Sequence, residues 1–143
     1  MTYMLKNGKE TVEFDVPDHW EVIKVAKPQK VEAIPKEKIS NVVKESLQNP
    51  IGGKPLGEQI NENSTVAIAV DDISRHTPAH LLVEPLVDLL IELGVKRDNI
   101  LIVFALGMHR DMSQEDAEKK LGKRIANEIR WENHKLEENL ADL

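Results

Sequence analysis

Hydrophobic and polar positions along this chain fall into runs that predict alternating strands and helices. The clearest are two short apolar stretches, Thr65-Val66-Ala67-Ile68-Ala69-Val70 and Ile100-Leu101-Ile102-Val103-Phe104. Short β-branched and aliphatic runs that stop abruptly at polar loops read as buried parallel strands. Between them, Thr77 is suited to cap a helix, Pro78 to its first position and Gly94 to its end. Pro85 lies inside that helix and predicts a kink, because it removes a backbone hydrogen bond and crowds the carbonyl of Leu81. Residues 65–110 therefore read as one β-α-β unit. Such crossovers are right-handed in about 98% of cases and bring both strand C-termini to the same sheet edge. Ligands of open α/β sheets bind outside that edge.

The flanking segments extend the pattern. Residues 10–16 alternate Val12, Phe14 and Val16 with Thr11, Glu13 and Asp15, bracketed by Gly8 and Pro17. Residues 20–26 repeat the alternation from Trp20 and Val22, predicting an antiparallel pair joined by Pro17-Asp18-His19. A proline-containing link over 27–35 leads to a helix over 36–48, with Ile39, Val42, Val43 and Leu47 at helical spacing. Residues 49–56 read as a loop. Ser113 caps a later helix ending near Leu121-Gly122, with Asp116 completing an imperfect capping box. A helical turn over 124–128 then leads to a third strand over 129–134. The predicted fold class is α/β: a Rossmann-like three-layer domain with a mostly parallel sheet, plus a short N-terminal antiparallel strand pair. About three parallel strands make a thin sheet for a doubly wound domain. Residues 135–143 are charged and weakly amphipathic, without a closing strand. Residues 1–143 are therefore expected to be the N-terminal catalytic-type domain of a longer, two-domain protein, with the C-terminal remainder as its partner.

Composition narrows the function classes. Of 143 residues, 41% are hydrophobic and 31% charged, ordinary proportions for a globular protein. A net charge of −6 without a basic cluster argues against a nucleic-acid surface. The absence of cysteine excludes disulfides, iron–sulfur ligation and cysteine-based zinc sites. The start, Met1-Thr2-Tyr3-Met4-Leu5-Lys6, has no apolar core of signal-peptide length. The apolar segment 81–93 is interrupted by Glu84, Pro85, Asp88 and Glu92, which argues against a membrane span. A cytoplasmic protein is expected.

The polar loops carry the candidate chemistry. Asp71-Asp72-Ile73-Ser74-Arg75-His76-Thr77-Pro78 follows the first central run, and Gly107-Met108-His109-Arg110 follows the second. Two carboxylates, two guanidiniums and up to two imidazoles are thereby expected in one crevice. Arg75 offers a planar fork for a carboxylate or phosphate; the competing reading is an ion pair with Asp71 or Asp72. His109, after a glycine that permits close approach, is suited to proton transfer; it could equally be a loop histidine bonded to Asp72 or to backbone. Asp72 could orient such a histidine or hold Arg75. His76 and His80 are four apart, but Pro78 starts the helix between them and leaves His76 outside, against a metal pair. His19 reads as a turn residue. Ser74 lacks the flanking glycines of a nucleophile elbow, and Asn49-Pro50-Ile51-Gly52-Gly53 lacks the Lys-Ser/Thr of a P-loop.

These residues carry a resemblance. Asp72-Ile73-Ser74-Arg75 with Pro78 resembles the Asp-x-Thr-Arg…Pro signature of the nickel-pincer lactate racemase family. Gly107-Met108-His109-Arg110-Asp111-Met112-Ser113 with Glu115 is similar to its Gly-x-His-Arg-x-Met/Leu-Ser/Thr segment. Asn49-Pro50-Ile51-Gly52 and Asn133-His134 follow its order, so the likeness spans nearly the whole chain. Ser74 replaces a commoner threonine, His76 a common proline, and Lys135 a usual aspartate. The resemblance implies racemisation or epimerisation of a small 2-hydroxy acid with a nickel-pincer nucleotide. Arg75 would bind the substrate carboxylate, and His109 would be one of two histidines taking the hydroxyl proton. Asp72 would steady the arrangement, and Ser74 would contact the cofactor. The second histidine, the tethering lysine and the nickel-capping histidine are expected beyond residue 143. With no metal ligand assigned here, the isolated chain is expected to fold but not to turn over substrate.

Two rival readings remain at this stage. One is a non-catalytic α/β domain that binds an anionic metabolite or nucleotide at the same crevice. The other is an interaction domain whose strand-end loops are only solvated turns.

Overall fold

In the computed structural model, residues 2–26 and 31–135 are described. They fall into two compact units, Met1–Ala33 and Ile34–Leu143.

The first unit is a hairpin of β1 (Thr2–Asn7) and β2 (Glu10–Asp15), antiparallel, with Tyr3 opposite Phe14 and Leu5 opposite Val12. Gly8, at φ 63°, supplies the left-handed backbone needed in its two-residue connection. Tyr3 and Phe14 stack at 5.8 Å between ring centroids. This corrects the expected pairing of 10–16 with 20–26. The strand over 10–15 is present, but its partner is the segment before it, and residues 20–26 form no strand. A partner two residues away across Gly8-Lys9 closes a shorter loop than one beyond Pro17, where the chain turns with Trp20 N–H donating to the Pro17 carbonyl.

The second unit holds a three-stranded parallel sheet in the order β3 (Val66–Asp71), β4 (Ile100–Ala105), β5 (Arg130–Asn133). Helices α1 (Lys36–Gln48), α2 (Leu56–Gln59), α3 (Ala79–Glu92), α4 (Gln114–Leu121) and α5 (Lys123–Glu128) complete it. The α/β class with a parallel sheet and a separate antiparallel pair is as the sequence predicts. Alternation along β4 sets the core: Ile100, Ile102 and Phe104 are buried, whereas Leu101 and Val103 are only partly covered. Against Ile102 and Phe104 pack Val83, Val87 and Leu90 of α3, Ala117 and Leu121 of α4, and Ile125 of α5. Trp131 joins them edge-on to Phe104 at 5.5 Å. On the other face of β3, Ala67 and Ala69 are exposed.

Two helix starts differ from expectation. Thr77 does not cap α3, which begins at Ala79 without a side-chain cap; its hydroxyl donates instead to Asp71. The short helix α2 begins at the end of the stretch read as loop. The capping box of α4 is better than expected: the Ser113 hydroxyl accepts from Asp116 N–H at 3.2 Å, and Asp116 accepts from Ser113 N–H at 3.1 Å. Ser113→Ala is accordingly expected to lower stability by about 1 kcal/mol, seen as a lower Tm with unchanged far-UV circular dichroism. The expected link over 27–35 and tail over 135–143 fall partly on residues 27–30 and 136–143, outside the described residues.

Candidate active site

Strands β3 and β4 pair in register, Asp71 beside Ala105, so the residues that follow each strand emerge side by side. Each strand ends in a tight turn. After β3, Arg75 N–H donates to the Asp72 carbonyl at 3.2 Å; after β4, His109 N–H donates to the Leu106 carbonyl at 3.0 Å. Gly107 sits in the second turn at φ 57°, and a Cβ there would meet nothing within 4 Å. Within the protein, then, the glycine is required by the left-handed backbone and not by a close approach.

The turns meet through their side chains. His109 Nδ1 forms a short contact with Asp72 Oδ2 and lies 3.4 Å from Ser74 Oγ. Asp72 is only 5% exposed, and its other oxygen accepts from Ser74 N–H at 2.7 Å. Hydrogen bonding from Ser74, then from His109, holds the Asp72 carboxyl at about 2, below its ordinary 3.8. A lowered carboxyl contributes stability that is present above the ordinary value and lost as pH falls through the lowered one. Asp72→Asn is therefore expected to flatten the fall in Tm between pH 3.8 and about 2, the window set by that shift. A curve parallel to the wild type would show that the carboxylate is not held this way.

Asp72, Ser74 and His109 are thus brought together, and Arg75 belongs to the same turn. Neither aspartate pairs with Arg75. Asp71 takes the Lys120 ammonium at 2.7 Å and the Thr77 hydroxyl; burial raises its carboxyl, and these two partners more than offset that, leaving it lowered. The Arg75 guanidinium forms no ion pair or hydrogen bond among the described residues. The second guanidinium expected in the crevice is committed elsewhere: Arg110 bonds Asp116 at 2.7 Å and the Asp111 carbonyl at 2.9 Å. Arg110, then Ser113, pulls the Asp116 carboxyl well below its usual range. His76 lies outside α3, which starts at Ala79, so it and His80 do not share a helical face.

Three residues hold the loops in ways that the sequence reading missed. Asn133 clamps Met112 like a strand neighbour, accepting from its N–H at 3.0 Å and donating to its carbonyl at 3.1 Å. Asp116 ties Arg110 to the start of α4. Lys120, 4% exposed, reaches Asp71 and the Arg75 carbonyl. A signal for Lys120 existed: it shares the helical stripe of Ala117 and Leu121, where a lysine is out of place unless paired. An open depression of about 500 Å³ lies on the β4–β5 side of the sheet, lined among others by Asp111, Trp131, His134 and Lys135, and not by the Asp72–His109 pair.

Among the described residues no three His, Asp or Glu side chains cluster to hold a metal ion, and the chain has no cysteine. These residues do not make a nickel ligand set, and what they can do is bind an anion and move a proton. No described helix is long and apolar enough to cross a membrane.

Comparison with known proteins identifies the family. Residues 7–143 match the family described as lactate racemase N-terminal domain. A curated lactate racemase from Thermoanaerobacterium thermosaccharolyticum is 26% identical over 124 residues, covering 80% of this chain and 26% of that protein. The structure of the lactate racemase apoprotein from the same organism superposes with a TM-score of 0.65 at 25% identity, over 94% of this chain and 30% of that one. A crystal structure of a protein from Thermotoga maritima matches with a TM-score of 0.54 at 28% identity, over 73% and 22% of the two chains. This chain thus spans roughly a quarter of the length of the curated relative it matches.

Proposed function

We propose that this chain, which belongs to the lactate racemase N-terminal domain family, supplies half of a lactate racemase-like site that binds a small 2-hydroxy acid and moves its hydroxyl proton. The observation that carries the reading is the Asp72–His109 pair beside an Arg75 whose guanidinium has no partner among the described residues.

The residues divide the work as follows. Arg75, with both aspartates occupied by other partners, offers its planar fork to the substrate carboxylate. Asp72, its carboxyl held below the ordinary carboxylate range, is ionised near neutral pH and can only accept a hydrogen bond. The proton of the neutral imidazole therefore resides on Nδ1, and the lone pair is on Nε2, which has no protein partner among the described residues. Nε2 takes the hydroxyl proton as the carbinol carbon is oxidised, and the Asp72 carboxylate stabilises the imidazolium that forms. A hydride leaving that carbon would need an acceptor that no side chain provides; the family resemblance implies a nickel-pincer nucleotide, which would supply that chemistry when bound. Ser74, 3.4 Å from His109 Nδ1, keeps the imidazole in place and is the residue we assign to the cofactor side. Racemisation also requires a proton-transfer group for the opposite face, which we assign to the remainder of a longer protein.

A domain that only binds an anionic metabolite has use for Arg75 but none for an imidazole held by a buried carboxylate, its far nitrogen without a partner among the described residues. The two readings separate when the longer protein, loaded with cofactor, is given one enantiomer of lactate. Appearance of the other enantiomer supports the racemase; bound but unchanged lactate supports the binding domain.

A further inference from the structure

We propose that Lys120 is a positioning residue for Arg75, and through it sets the affinity of the site for the carboxylate of its 2-hydroxy acid. The inference rests on the function proposed above. Lys120 lies on α4, 45 residues along the chain from Arg75, with its side chain 3% exposed. Its ammonium is 2.7 Å from Asp71 Oδ1 and 3.0 Å from the Arg75 carbonyl. One cation thereby grips both ends of the turn, the carboxylate where β3 stops and the carbonyl of the residue that presents the guanidinium. Within the turn the remaining ties are those of Asp72, which accepts from Arg75 N–H with its carbonyl and from Ser74 N–H with its side chain. They fix the middle of the turn and, among the described residues, leave the Arg75 carbonyl to Lys120.

Packing by itself does not call for a lysine there. Lys120 shares its stripe with Ala117 and Leu121, both fully buried, and an apolar side chain in that position would fill the space without desolvating an ammonium. The charge has a use only in what it holds. Helix α4 is also fixed to the second turn, since Asp116 in its first turn binds Arg110, next to His109. The same helix thus anchors the carboxylate-binding loop at one end and the proton-transfer loop at the other.

The test uses two variants, Lys120→Met and the double variant Asp71→Asn/Lys120→Met. The double variant removes both members of the ion pair, so no unpaired charge is left to unfold the protein, yet the Arg75 carbonyl still loses its donor. Amide exchange is followed on the chain itself, and kinetics on the cofactor-loaded longer enzyme with lactate. In both variants the amides of residues 73–76 are expected to exchange about 10-fold faster, while those of β3 and β4 keep their protection. KM for lactate is expected to rise about 10-fold, with kcat within about 3-fold of wild type, as loss of substrate positioning predicts. That rise should largely vanish when Arg75→Lys is already present, because the two residues act as one unit. Unchanged exchange with unchanged KM overturns the proposal, as does a double variant that regains wild-type exchange and KM, or a fall in kcat with KM constant. A wild-type enzyme that does not racemise lactate overturns the proposed function, and the kinetic role of Lys120 with it, while exchange still reports whether the tether exists.

Discussion

His109→Ala in the cofactor-loaded enzyme is expected to lower kcat/KM for lactate by about 10²–10⁴-fold, the contribution of a positioned acid/base group. The loss should reside mainly in kcat, because the imidazole acts on the proton that moves and not on the carboxylate that anchors the substrate. The fold should survive: the His109 side chain is 52% exposed and touches Asp72 and Ser74, while Asp72 retains its bond from Ser74 N–H. A control follows from the same geometry. Asp72→Asn leaves the imidazole in reach but can donate to Nδ1, which favours the tautomer with Nε2 protonated and unable to accept. Both variants should therefore be slow for one reason. Wild-type turnover in His109→Ala, measured by chiral analysis of lactate, would remove the imidazole from the mechanism.

Arg75→Lys is expected to cost about 2–4 kcal/mol in transition-state terms, since lysine keeps the charge but not the bidentate fork. Here the effect should appear chiefly in KM. The structure makes this a sharp test, because Asp71 is held by Lys120 and Asp72 by His109. With no internal partner for the guanidinium among the described residues, the substitution has no ion pair to break, and Tm should change little. Unchanged kinetics would mean that the carboxylate is bound elsewhere.

Much of this arrangement was legible in the sequence, for reasons that can be named. Val66, Ile68 and Val70, with Ile100, Ile102 and Phe104, form compact apolar runs that end at charged loops, and such runs predict both the strands and the edge at which the loops meet. Ile39, Val43 and Leu47 reveal α1 by their spacing, and its bounds coincide with those expected. The hairpin partner was misjudged because alternation over 20–26 reports only that a segment can lie extended, not which neighbour pairs with it. The stronger cue was Gly8-Lys9, since a glycine at the first of two connecting residues suits a tight hairpin turn. At the site, the choice between an anion-binding Arg75 and one spent on Asp71 or Asp72 could not be made from spacing, since it depends on Lys120 arriving from α4. Arg110 likewise read as a site residue by proximity to His109, whereas Asp116 takes it. Short-range order was visible in the chain; competition for partners between distant segments was not.

The central claim is best tested with lactate deuterated at the carbinol carbon, supplied as one enantiomer to the longer protein loaded with cofactor. Oxidation by hydride transfer, with His109 handling only the hydroxyl proton, predicts interconversion of the enantiomers with the deuterium kept on carbon. Interconversion with deuterium lost to solvent, or no interconversion at all, would contradict the account.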